Sequence, residues 1–146
     1  MGQEEDRNRK LVTKLYERGW GCGDLDAIDE VFSPNHVLHR NEGAPSLQQR
    51  TTDEVKTMVR SYRDAFPDLE VSIDNLVAEG DNVAVQVTFV GTHEETYEGF
   101  QPTHKKSGFT DMQILRFENG KVVESFLGSG GLKFFFSILD GSLLQQ

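Results

Sequence analysis

Thr110-Asp111-Met112-Gln113-Ile114-Leu115-Arg116-Phe117-Glu118-Asn119-Gly120-Lys121-Val122-Val123-Glu124-Ser125-Phe126 reads as two strands closed by a tight turn. Apolar and polar side chains alternate on both sides of Asn119-Gly120, a dipeptide that accepts the positive φ angles of a two-residue hairpin. Asp111, Gln113 and Glu124 interrupt the apolar alternation. Arg116 is expected to face water, so Phe109, Asp111, Gln113, Leu115 and Phe117 share the opposite face. If that face is concave, a carboxylate and an amide converge on a pocket, and a small-molecule site is the leading expectation.

Upstream of this hairpin, Val83, Val85, Val87 and Phe89 alternate with Ala84, Gln86, Thr88 and Val90, and Val71 and Ile73 open an earlier strand. The turn between these two strands is Glu79-Gly80-Asp81-Asn82. Nearer the N-terminus the period becomes helical. Val12, Leu15, Tyr16 and Gly19 form the stripe of a first helix over residues 5–19. Asp24 caps a second helix that buries Leu25, Ile28 and Phe32 and stops at Pro34, and a short strand over residues 36–39 runs into a loop holding Gly43 and Pro45. Thr51 and Glu54 make a capping box for a third helix, striped by Val55, Met58, Val59, Tyr62 and Phe66 and ended by Pro67. Helices first and strands after predict an α+β fold, a cone-shaped curved antiparallel sheet with three N-terminal helices on its concave face. Tyr16, Trp20, Tyr62, Phe66 and Phe109 are expected to be largely buried.

At 146 residues the chain is read as a single domain, with residues 1–5 a loose N-terminus and 128–146 a C-terminal tail. A net charge of -9 argues against a nucleic-acid partner, which needs clustered Lys and Arg. No apolar run approaches the roughly 20 residues of a membrane span. The acidic start, Met1-Gly2-Gln3-Glu4-Glu5-Asp6, does not read as a secretory signal, and a lone Cys22 leaves no intrachain disulfide. A cytoplasmic location is expected. Gln86, Thr88, Val90, Met112 and Ile114 mix apolar and small polar groups on the convex face, which points to a homodimer. In the tail, Leu132-Lys133-Phe134-Phe135-Phe136-Ser137-Ile138-Leu139 is too apolar for water. It closes the pocket mouth, makes a subunit contact, or packs as a core helix.

Among the residues able to carry chemistry, Asp111 surrounded by aromatics loses hydration and becomes a better base, or else sits wet near a strand end. Gln113, two residues on, can donate to a developing enolate oxygen. His93, on the loop after a strand, assists as an acid, orients Asp111, or caps its loop. Tyr16 and Trp20, four apart on a helix, both reach the pocket or serve the core, as do Tyr62, Phe66 and Phe109. Glu124 and Phe126 share a face that either meets the pocket or, for Glu124, forms a surface ion pair with Lys121 or Arg116. His36 and His39 have opposite strand parity and do not chelate together, though His39 reaches the pocket mouth. No spacing suggests a metal site, and no phosphate loop, nucleophile elbow or dinucleotide fingerprint is present, so no cofactor is expected.

These features resemble the SnoaL-like polyketide cyclase and ester cyclase branch of the nuclear-transport-factor-two-like superfamily over residues 11–139. The resemblance rests on Gly23-Asp24-Leu25-Asp26, Leu38-His39, Tyr62-Arg63-Asp64-Ala65-Phe66-Pro67-Asp68-Leu69, Val77-Ala78-Glu79-Gly80-Asp81, Gly91-Thr92-His93, Pro102-Thr103 and the run from Ile114 through Glu124. It implies an α+β cone with an apolar cavity, a homodimer through the outer sheet face, and an aspartate acting as general acid/base in a cofactor-free aldol closure. Family members commonly have Glu-His-Trp where this chain has Glu124-Ser125-Phe126, and often an aspartate in place of Gln113. The base role then moves to Asp111.

Two functions follow as expectations. One is a cyclase or isomerase acting on a small hydrophobic, carbonyl-rich molecule, with Asp111 abstracting a carbon-bound proton, Gln113 and Tyr16 stabilising the enolate, and His93 assisting. The other is a non-catalytic small-molecule-binding or dimeric scaffold module on the same fold.

Overall fold

The first helix, α1 (Gln3–Lys14), widens without a break into a π-type turn over Leu15–Trp20. The computed structural model describes residues 2–40 and 46–128. The helix begins two residues before the expected start, because Glu5 Oε1 accepts the Gly2 backbone N–H at 3.2 Å and closes the first turn. A short α2 (Asp26–Val31) follows, its entry held by Asp24 Oδ1, which accepts the Asp26 N–H at 3.1 Å. Phe32 does not extend this helix. It opens β1 (Phe32–Arg40), and Pro34 lies in the irregular stretch between Phe32 and Val37 where the ladder shifts register, a place where a residue without an N–H is tolerated.

The strand β2 (Ser46–Thr51), not expected from sequence, runs directly into α3 (Thr52–Ala65). The capping box forms as read: the Glu54 N–H donates to Thr51 Oγ1 at 3.2 Å, and the Thr51 N–H donates to Glu54 Oε1 at 3.3 Å. Four further strands complete the sheet: β3 (Glu70–Glu79), β4 (Asn82–Thr92), β5 (Lys106–Glu118) and β6 (Lys121–Leu127). Asn119 and Gly120 join the last two with φ of 51° and 79°, as the hairpin requires.

The strand order is β2-β1-β6-β5-β4-β3. All neighbours are antiparallel except β1 and β6, which run parallel. The purely antiparallel expectation is therefore corrected to a mixed, curved and unclosed sheet. The β5–β6 hairpin delivers its second strand beside β1 in the same direction, so one pair has to be parallel. The α+β architecture stands.

Alternation on β4 sets the two faces. Val83, Val85, Val87 and Phe89 are buried and form one core with Val12, Leu15, Ile28, Val55, Val59 and Tyr62 of the helical layer. Tyr16, Tyr62 and Phe66 are buried as expected, whereas Trp20 and Phe109 are only partly so. On the other face one in-register row crosses all six strands: Leu47, His39, Phe126, Ile114, Ala84 and Val77. Leu47, Val77, Ile114 and Phe126 in this row are exposed, as is Met112. No helix among the described residues is long and apolar enough to cross a membrane. Gly43, Pro45 and the aromatic tail segment lie outside the described residues.

Candidate active site

Between the helices and the inner face of the sheet lies a cavity of about 520 Å³. Tyr16 and Trp20 reach it from the π-type turn, Tyr62 from α3, and Phe109, Asp111 and Gln113 from β5. Strand parity places the last three together, because Thr110 and Met112 between them, and Ile114 after them, face out. Asp111 is 8% exposed, and the Met112 N–H donates to its Oδ1 at 2.9 Å, fixing one carboxylate oxygen.

The wall around it is aromatic and interlocked. Phe89 and Phe109 stack with centroids 5.0 Å apart and planes at 8°. Trp20 sets its edge against Tyr62 at 5.7 Å and against Phe89 at 5.6 Å. Burial raises the Tyr16 phenol well above its usual range, and the charge of nearby Asp111 raises it further. The same two effects act on Tyr62, with Tyr97 adding to them. Tyr97, on the loop after β4, is pushed up to about 12, chiefly by burial. These phenols are hydrogen-bond donors at neutral pH, never phenolates.

His93 does not reach this cavity, contrary to expectation. It is fully buried behind Phe66, on which its ring stacks at 5.2 Å, and the Thr103 N–H donates to its Nδ1 at 3.2 Å. Its proton therefore sits on Nε2, and burial draws its pKa below the ordinary histidine range. The backbone of His93 also splices the loop, donating to the Lys105 carbonyl at 3.1 Å and accepting from the His104 N–H at 2.9 Å. Phe66 belongs to the same packed layer, stacked on Tyr62 at 5.0 Å, and is core instead of wall.

His39, Glu124 and Phe126 were also expected at the pocket. They lie on the opposite face of the sheet, because Ser125 is the residue of β6 that points inward. Glu124 Oε1 accepts from Arg116 Nε at 2.8 Å, and Glu124 Oε2 lies 2.7 Å from His39 Nε2. The Arg116 bond first and the His39 contact second hold its carboxyl below the usual range. The surface ion pair with Arg116 is thus the alternative that forms, while Lys121 donates to the Asp29 and Glu30 carbonyls.

Sequence reasoning missed the residues that β1 and β2 contribute. His36, Leu38 and Arg40 alternate inward along β1, and Arg50 stands directly opposite His36 on β2. His36 is 4% exposed, packed on Phe32 with ring centroids 4.7 Å apart, and burial with the Arg50 charge lowers its pKa. The signal was present in the i, i+2, i+4 spacing of His36, Leu38 and Arg40, once the strand is read at its full length. Among the described residues no group of three or more His, Cys, Asp or Glu side chains is placed to hold a metal ion.

Residues 10–126 match the family model for SnoaL-like polyketide cyclase. The fold is similar to that of a protein from Jannaschia sp. CCS1 provisionally assigned as a SnoaL-like polyketide cyclase, with TM-score 0.81 and 23% identity over 96% of each chain. It is also similar to IdmH from Streptomyces antibioticus, provisionally assigned as a polyketide cyclase, with TM-score 0.67 and 25% identity over 86% of this chain and 91% of that one. AclR from Streptomyces galilaeus, provisionally assigned as a hydroxylase, is 27% identical with TM-score 0.70, over 84% of this chain and 74% of that one. No curated protein matches the sequence.

Proposed function

Because the chain belongs to the SnoaL-like polyketide cyclase family, we propose that its cavity performs cofactor-independent proton transfer on a small hydrophobic carbonyl compound, closing a ring by an intramolecular aldol-type step or isomerising it. The observation that carries this reading is Asp111, 8% exposed, in the cavity wall among Tyr16, Tyr62 and Phe109 and beside Gln113. The carboxylate takes a proton from the carbon next to a carbonyl. The enolate oxygen accepts hydrogen bonds from the Gln113 amide and from the Tyr16 hydroxyl, whose raised pKa keeps it protonated. The enolate carbon then attacks a second carbonyl of the same molecule, and Asp111 returns its proton to the new alkoxide. Water is kept from the enolate by the stacked and edge-on rings of Trp20, Tyr62, Phe89 and Phe109.

The test uses 2-tetralone in D₂O, with exchange of its acidic methylene protons followed by NMR. The protein should accelerate exchange, and Asp111→Asn should abolish the acceleration while 2-tetralone still binds. Binding without any acceleration by the native chain would instead favour the non-catalytic binding module.

The outer face supports a second copy of this chain as the partner. Its row of Leu47, His39, Phe126, Ile114, Ala84 and Val77 spans the sheet from edge to edge, with Met112 beside it. Leu47 and Val77 are 61% and 62% exposed at opposite ends. A two-fold axis lying in the interface and crossing the row at its centre sets each apolar end against the opposite end of the second copy, which is how an isologous interface closes.

A further inference from the structure

We propose that the β1–β2 end of the cavity is a carboxylate-binding site formed by Arg50 and His36, so that the molecule bound here is an amphiphile with a carbonyl-bearing apolar body and a terminal carboxylate. The proposal rests on the reading of Asp111 as the base and names the substrate class for it.

The first support is an under-used guanidinium in the cavity wall. Arg50 is half-buried, and its polar contacts among the described residues are Met58 Sδ and Gln48 Oε1, each at 3.5 Å, the outer limit of a hydrogen bond. No carboxylate among the described residues lies within ion-pair distance of it. Glu54 is the acidic side chain nearest in effect, but its Oε1 is engaged by the Thr51 N–H and hydroxyl in the helix cap. The guanidinium fork is built for bidentate contact with a carboxylate and is poorly matched by a thioether and a single amide oxygen.

The second support is independent. His36 faces Arg50 across the β1–β2 ladder, lines the same end of the cavity, and is 4% exposed. Its Nδ1 is buried with no hydrogen-bond partner among the described residues. A buried ring nitrogen without a partner costs free energy, which a ligand oxygen would recover. A carboxylate seated here accepts two guanidinium N–H bonds from Arg50 and one N–H bond from His36. Three carboxylates also line the cavity and oppose an anion: Glu54 at this same end, with its Oε1 taken up in the Thr51 cap, and Glu98 and Asp111.

The geometry also relates this end to the reacting group. β5, which carries Asp111, is separated from β1 by β6 and lies three strands from β2. At ordinary strand spacing that is about 10 to 14 Å across the sheet. Arg40 is level with Leu127 and Leu127 with Gln113, so the level of His36 and Arg50 is offset from that of Asp111 by six residues, about 20 Å along the strands. Repulsion from Asp111 favours a substrate carboxylate at Arg50, and a ligand long enough to run the length of the cavity brings its carbonyl to the base.

The probe is 8-oxo-8-phenyloctanoate, compared with its methyl ester. Binding is read from quenching of Trp20, the chain's one tryptophan and part of the cavity wall. The acid should bind at least about tenfold more tightly than the ester, the scale of one charge-assisted pair. In Arg50→Gln and in His36→Phe, which keeps the stacking on Phe32, the advantage should shrink to about twofold or less, with ester affinity preserved. Ester affinity shows that each variant still folds. Equal affinities in the native chain, no binding of either compound, or an advantage that survives Arg50→Gln would overturn the proposal. Proton exchange at the methylene beside the ketone is measured in parallel. Acid preference without exchange would defeat the role of Asp111 alone, and exchange without acid preference would defeat the carboxylate site alone.

Discussion

His39 and Phe126 are register partners in the parallel β1–β6 ladder, and their rings stack with centroids 4.4 Å apart and planes 7° from parallel, on the side of the sheet turned away from the cavity. The stack sits in the middle of the outer apolar row, with the Arg116–Glu124 pair beside it. An aromatic pair that remains 37% exposed at Phe126 is costly to leave in water and effective when covered.

The proposed homodimer makes this row the interface. Light scattering at micromolar concentration should give twice the chain mass for the native protein. Ile114→Glu, which puts a charge at the centre of the row, should give a monomer with unchanged far-UV circular dichroism. A native chain that scatters as a monomer would eliminate this interface.

If Asp111 is the base, Asp111→Asn keeps the shape and the Met112 N–H contact to Oδ1 but removes the proton acceptor. Initial exchange rates should fall by about 100-fold or more, the scale of general-base catalysis. Gln113→Ala and Tyr16→Phe each remove one donor to the enolate while the base remains, so each should cost less than Asp111→Asn. Equal rates for the native chain and Asp111→Asn would exclude the role.

Much of this was legible in the sequence because it depends on local period. The alternation from Val83 to Phe89, the Asn119-Gly120 turn and the Thr51–Glu54 box each specify their own geometry within a few residues. The inward set of Asp111 and Gln113 followed from the same two-residue period, anchored on Arg116 facing out. What failed was parity at a distance. Whether Glu124 or Ser125 points inward depends on how β6 registers against both β5 and β1, and the β5–β6 ladder shifts between Arg116 and Phe117. Phe32 read as helical because it continues the stripe of Leu25 and Ile28, whereas pairing with Val122 pulls it into β1. Arg50 was invisible as a cavity residue because β2, Ser-Leu-Gln-Gln-Arg-Thr, holds Leu47 as its one apolar residue and so shows no alternation, and only its edge pairing with β1 makes it a strand.

His93 gives a contrasting prediction, since it packs on Phe66 and accepts from Thr103 without touching the cavity. His93→Ala leaves a void behind Phe66 and an unpaired Thr103 N–H. Urea unfolding should show a loss of about 2 kcal/mol or more. The exchange rate per folded molecule should stay within about twofold of native, since no proton is moved by this ring. A large drop in that rate at full folding would restore a catalytic part for it.

Stability should also depend on pH through His36 and His93. Burial is the larger cause in both cases and lowers both folded pKa values, with the Arg50 charge adding to the effect at His36. The unfolded chain therefore takes up these protons first as pH falls, from about pH 6.5 downward. Their contribution is fully present above that pH and is lost as pH drops toward the folded values, with a slope of at most about 1.4 kcal/mol per pH unit for each histidine. Two carboxylates act later. Glu124 is lowered by Arg116 and then His39, while at Asp68 burial pushes upward but is outweighed by donation from the Thr92 N–H and hydroxyl. Their share is present above their unfolded values, near pH 4, and is lost below them. Urea midpoints taken from pH 8 to pH 5 should fall steadily below about pH 6.5, and His36→Phe should make that limb shallower. A stability flat from pH 7 to pH 5 in the native chain would show that neither imidazole is held neutral by its surroundings.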